Sequence, residues 1–178
     1  MSAKELIVDI CDVTMESRGA DLPFTVGDLL AFFTAVGMGA SLVNPLVDLF
    51  ELSTMFSLSP QDYLMVHRMQ KRTIVFFTTV VVATSFLMLA YMLIVWSVPF
   101  AFSLSIVACL CLAVAEFIYW SVRRRTVALT NGWTAVPDRF ELIRKRLEYA
   151  QAISAVFALL AFMTIMLSIT AAEVDKVV

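Results

Sequence analysis

The sequence predicts an all-α integral membrane protein, a four-transmembrane-helix bundle. Two of its helices extend into the cytoplasm, and a short amphipathic N-terminal helix lies outside. Three observations predict this fold. First, 61% of the 178 residues are hydrophobic and 16% are charged, against about 45–50% and 25% in soluble domains. A soluble monomer of this size has too little interior for that much apolar surface. Second, the apolar residues fall into four blocks of 19 to 24 residues, at 29–47, 73–96, 100–121 and 150–172. About 20 apolar residues cross the hydrocarbon core as a helix, and these blocks lack the alternation of barrel strands. Third, 27 of the 28 charged side chains lie outside the blocks, and the one inside is Glu116.

Residues 1–24 are read as a separate acidic segment ahead of a membrane domain over 25–178. Ser2 and Glu5 make a capping-box pattern. Leu6, Ile10 and Val13 then recur at helical spacing over about residues 3–16. Glu5, Asp9, Asp12, Glu16 and Asp21 speak against a removable signal peptide. Thr25 and Asp28 repeat the capping box at the mouth of the first span. Inside it, Ala31, Ala35 and Gly39 form a small-residue ridge for close helix packing. Asn44-Pro45 is expected to kink or end that helix.

Ser59-Pro60-Gln61-Asp62 starts the next helix, with a cap, Pro at the first position and an acid at the third. Nothing in the sequence breaks it before Pro99, so one helix of about 57 Å is expected. Ser97-Val98-Pro99-Phe100 allows only a tight turn, and Trp96 suits an interfacial anchor. The third span closes on Arg123-Arg124-Arg125. Asn131-Gly132 marks a turn, Trp133 is expected at the interface, and Asp138 with Glu141 starts the last helix.

Loop charge sets the expected orientation. Segments 48–72 and 122–149 hold 10 of the 13 basic residues. The positive-inside bias puts both in the cytoplasm and both termini outside, in the inner (plasma) membrane of a bacterium.

Glu116 is the leading candidate for function, because an ionisable group inside a span is costly. Counting helical rise from the basic ends places Asn44, Thr78 or Thr79, Ser154 and Gln151 at its depth. These residues are expected to form one intramembrane polar layer. Arg72 and Arg146 are the candidate ion-pair partners, snorkelling inward. Arg123, Arg124 and Arg125 are candidate sites for lipid heads or a partner. The two cytoplasmic extensions are expected to pack on each other, through Phe140, Ile143, Leu147 and Ala150 on one and Tyr63, Met65, Val66 and Met69 on the other. Glu141–Lys145 and Arg144–Glu148 are read as i,i+4 pairs on a solvated face.

Enzyme chemistry has little support. His67 is the single histidine, the three cysteines give no disulfide framework, and no nucleotide or metal motif is present. No cofactor, metal or nucleic-acid partner is expected. Over about residues 139–165 the basic approach to the last span resembles the anthrone-oxygenase-like family of small membrane proteins. Leu147 and Gln151 stand where that family's pattern calls for Trp and His, so no residue role is carried over. The expected function is a non-catalytic membrane interaction protein, an accessory or assembly subunit. Its partners would be the lipid bilayer and either further copies of the chain or other membrane subunits. The alternative is a homo-oligomeric channel or carrier using Glu116.

Overall fold

The computed structural model describes residues 25–175, so the expected helix at 3–16 lies outside the described residues. Four helices are long and apolar enough to cross a membrane, and the chain is an all-α membrane bundle. Helix α1 spans Val26–Ser57. The short α2 spans Pro60–Met69 and α3 Lys71–Ile94. A 3-10 turn at Val95–Ser97 leads into α4, Pro99–Leu129, and α5 covers Phe140–Asp175.

The start of α1 follows the sequence signal. Asp28 N donates to Thr25 Oγ1 at 3.2 Å, and Thr25 N donates back to Asp28 Oδ2 at 2.9 Å. The helix does not end at Asn44-Pro45, however. It continues through Pro45 for three more turns to Ser57. Beyond the proline, Met55 is buried against Tyr63, Leu64, Trp133 and Phe140. That packing holds the helix together where a proline alone would break it.

The single long helix expected from Ser59 to Pro99 is instead two. Gln70, at ψ −7°, tightens the last turn of α2, and its N–H reaches Val66 O at 3.0 Å. The redirected α2 buries Tyr63, Leu64 and His67 while Met65 and Met69 stay exposed. Burial of that face decides the break, because no residue at 69–72 is a helix breaker.

The bundle has small residues inside and large ones outside. Helices α4 and α5 form the most extensive pair. Ala101, Ser105, Ala108 and Ala115 face Ala158, Ala161, Ser168 and Ala172 across a buried seam. Hydroxyls tie the seam: Ser168 Oγ donates to Ala101 O at 2.7 Å and lies 2.8 Å from Ser105 Oγ. Ser154 Oγ donates to Ala115 O at 3.0 Å. Such contacts drive helix association in lipid, where apolar burial gains nothing over the solvent. Outward faces carry Phe32, Phe76, Phe86, Phe117 and Leu167, all exposed.

Helix α1 packs on α3 and α5. Of the expected ridge, Ala31 is buried, while Ala35 and Gly39 are half-buried. A close approach lies off that ridge, at Gly37, two residues from both Ala35 and Gly39. A Cβ there would lie 2.7 Å from Thr84 Oγ1 on α3. One turn on, Ser41 Oγ donates to Thr84 Oγ1 at 3.2 Å.

Candidate functional site

At the basic end of the bundle, α1, α3, α4 and α5 enclose a cavity of about 40 Å³. One water needs about 10–15 Å³ of such space, so it has room for two to four waters. An organic ligand needs several hundred. Its lining includes Asn44 and Asp48 from α1, Thr78 from α3, Glu116 and Tyr119 from α4, and Gln151 and Ser154 from α5. All five residues of the expected polar layer thus line one space, whereas Thr79 is exposed on the other side of α3.

The bonds in this layer differ from those expected. Asp48 is the acceptor that organises it. Its Oδ2 receives Gln151 Nε2 at 3.2 Å and Asn44 Nδ2 at 3.4 Å. Sequence reading missed Asp48 because it sits one residue past the first apolar block. Only the continuation of α1 through Pro45 carries it into the bundle. Thr78 and Ser154 spend their hydroxyls on backbone carbonyls.

Among the described residues Glu116 accepts one hydrogen bond, from Trp120 Nε1 at 3.0 Å on its own helix. Arg146 is exposed and forms no ion pair among the described residues. It is therefore not the partner of Glu116, because it points away from the bundle on α5. Arg72 sits in the first turn of α3, and its side chain lies outside the described set. Glu116 is half-buried and borders three spaces. One is the cavity. The second is a groove between α3 and α4, lined by Ser85, Met88, Leu89, Cys109, Leu112 and Ala113. The third is the outer surface beside Phe117, Trp120 and Arg124.

Above the cavity the two extensions pack into a headpiece. Phe140 and Leu147 meet Tyr63, Leu64 and Trp133, with Val66 at the edge; of the expected α2 stripe, Tyr63 and Val66 pack there, whereas Met65 and Met69 face outward. The charges do not follow the expected solvated face. Glu148 is 1% exposed, and Tyr63 Oη donates to its Oε1 at 2.6 Å. Burial and the Glu148 charge push the Tyr63 phenol up, which keeps it a donor. Arg144 is buried too. It reaches Leu58 O at 2.9 Å and Glu141 Oε2 at 2.7 Å, so Glu141 pairs with Arg144 rather than with Lys145. The face Phe140, Arg144, Leu147, Glu148, Gln151 turns inward because α2 folds over it.

The three-arginine cluster is also divided. Arg124 and Arg125 are exposed, as lipid-head sites must be. Arg123 is buried, donates to Tyr119 Oη at 3.0 Å, and lies 5.6 Å from the centre of the Trp133 ring. Trp133 is held inside the headpiece rather than at an interface. The turn that places it runs through positive φ at Asn131, Gly132 and Trp133. Trp133 stacks on His67, with ring centres 4.6 Å apart. Among the described residues, no group of three His, Cys, Asp or Glu side chains is arranged to hold a metal ion.

Compared with known protein families, curated proteins and solved structures, the chain matches none.

Proposed function

We propose that the protein is a non-catalytic interaction subunit of a membrane complex, accessory or assembly in role. A transmembrane helix of another subunit would seat in the α3–α4 groove against Glu116. The observation that carries this reading is the state of Glu116. A carboxylate has about four acceptor positions, and among the described residues Glu116 uses one, on Trp120. It also opens sideways into a mostly apolar groove between α3 and α4, where an ionisable group is costly. A partner helix presenting an amide, a hydroxyl or a cation there would complete it. The charge bias supports an orientation with the headpiece in the cytoplasm and both termini outside, in what we propose is a bacterial inner membrane.

The test is site-directed cross-linking from Ala113→Cys in native membranes, paired with mass determination in mild detergent. The expected result is one cross-linked species of fixed mass, whose yield collapses in Glu116→Leu. A mass equal to twice the chain would identify the partner as a second copy. A lone chain in both experiments would overturn the proposal. So would solute movement across liposomes by the purified protein alone.

The small polar cavity favours a second reading, a homo-oligomeric channel or carrier for protons or a small cation. Flux through liposomes that is equal for wild type and Glu116→Gln would remove Glu116 from such a path.

A further inference from the structure

The wall of the membrane cavity carries more acceptor oxygens than donors. Asn44 Nδ2 and Gln151 Nε2 both turn to one oxygen of Asp48, its Oδ2, at 3.4 and 3.2 Å. The Thr78 hydroxyl donates to Ile74 O at 2.8 Å, and the Ser154 hydroxyl to Ala115 O at 3.0 Å. Among the described residues, no donor reaches Asp48 Oδ1, Asn44 Oδ1 or Gln151 Oε1. Gln151 is 5% exposed, and the cavity is the open space beside it. A buried acceptor left unfilled is costly.

The backbone adds a further acceptor. Pro45 has no N–H, so the Ser41 carbonyl, four residues earlier, loses its helical donor. Ser41 and Pro45 both line the cavity. Residues 41, 44 and 48 share one face of α1. Charge points the same way. Asp48 lies in electrostatic range of two further acids, Glu51 and Glu148, and of one base, Arg123. One positive charge does not offset three negative ones. Glu116, on the α4 wall, adds to the negative potential.

We infer that this cavity binds one small monovalent cation such as sodium, held by the Asp48 carboxylate, the Ser41 carbonyl and the amide oxygens of Asn44 and Gln151. The Thr78 and Ser154 hydroxyls, whose protons are engaged, offer lone pairs to the ion or to its remaining waters. The space fits, because room for two to four waters takes an ion with part of its hydration shell. An all-oxygen set is the chemistry of a hard cation. Zinc calls for nitrogen or sulfur ligands, and calcium for about six to eight oxygens. One directly bonded carboxylate matches one positive charge. The ion joins α1 to α5 at the turn where Pro45 costs α1 a backbone bond. The assignment stands on the cavity alone and holds whether or not the ion crosses the membrane, so binding and flux fail separately.

The test is binding of radioactive sodium ion to the full chain in lipid nanodiscs. It is run at about pH 8, where carboxylates are ionised, with choline replacing sodium at constant ionic strength. Saturable binding of one ion per chain is expected. Asp48→Asn is expected to abolish it. Gln151→Leu removes both a ligand and a bond to Asp48, and is expected to weaken it about 10–100-fold. Thr79→Ala, on the exposed side of α3, is expected to leave it unchanged. A second readout needs no variant. With sodium about 100-fold above its dissociation constant, the folded-to-unfolded ratio is expected to rise about 100-fold over that in choline. Absence of saturable sodium binding to the unsubstituted chain would overturn the proposal and leave the cavity to water. So would binding retained in Asp48→Asn, stability equal in sodium and choline, or displacement of sodium by calcium or magnesium at lower concentration.

Discussion

The α1–α3 contact at Gly37 gives a sharp test of how the bundle closes. In Gly37→Ala the new Cβ lies 2.7 Å from Thr84 Oγ1 and 3.4 Å from its Cβ and Cγ2. That is roughly 0.8 Å inside an optimal contact of about 3.5 Å. Thr84 has little freedom to move away. Its side chain is β-branched, it donates to Val80 O at 2.8 Å and it accepts from Ser41 Oγ at 3.2 Å. Overpacking costs about 1–3 kcal/mol. The gain from Gly to Ala in a helix offsets about 0.5–1 kcal/mol of this. These ranges leave a net loss of about 0–2.5 kcal/mol, and a 2.7 Å contact with a pinned side chain puts the expectation in the upper half. Equilibrium unfolding in mixed micelles, followed by helical circular dichroism, measures it. Thr84→Ala removes Oγ1 and Cγ2 and leaves the Cβ at 3.4 Å, so the double variant should recover most of the loss. A Gly37→Ala protein as stable as wild type would refute the reasoning, as would a double variant no better than the single one.

Other expectations follow from single contacts. Tyr63→Phe removes the 2.6 Å donor to the buried Glu148 carboxylate. It should cost about 1.5–3 kcal/mol, seen as faster amide exchange over Pro60–Met69 with exchange in α4 unchanged. Ser168→Ala breaks the links to Ala101 O and Ser105 at the α4–α5 seam. Its cost should be about 0.6 kcal/mol and no more than about 1.7, measured by the same unfolding titration. With Cys11, Cys109 and Cys111 replaced by Ser, Asn131→Cys, on the exposed turn of the headpiece, should react with an impermeant maleimide only after cells are opened. Labelling of intact cells would reverse the proposed orientation.

Much of the architecture is legible in the sequence. The four blocks, the Thr25 and Ser59 caps, the turn at Pro99 and the Asn131-Gly132 reversal are local or compositional signals, and the structure uses each of them. The polar-layer residues were found by counting rise from charged ends. That works because straight helices in one bilayer share a common depth scale. Failures occur where a local rule met tertiary packing. Pro45 does not end α1, and an unbroken helical sequence at Gln70 divides. Arg144 and Glu148, spaced for a solvated face, are buried under α2.

These failures share one cause. Hydropathy specifies which residues avoid water, so the sequence by itself determined the spans and isolated Glu116 as the charge inside them. In a bundle of nearly uniform apolar helices, hydropathy does not specify which face meets which neighbour. Tertiary structure decided that, through the fit of small residues and the satisfaction of hydroxyls at Gly37–Thr84 and Ser105–Ser168. It also decided the headpiece. Packing α2 against α5 turns an ordinary charged helix face into the buried Tyr63–Glu148–His67 cluster. That cluster costs desolvation and is held only because Met55, Leu64, Trp133, Phe140 and Leu147 close around it.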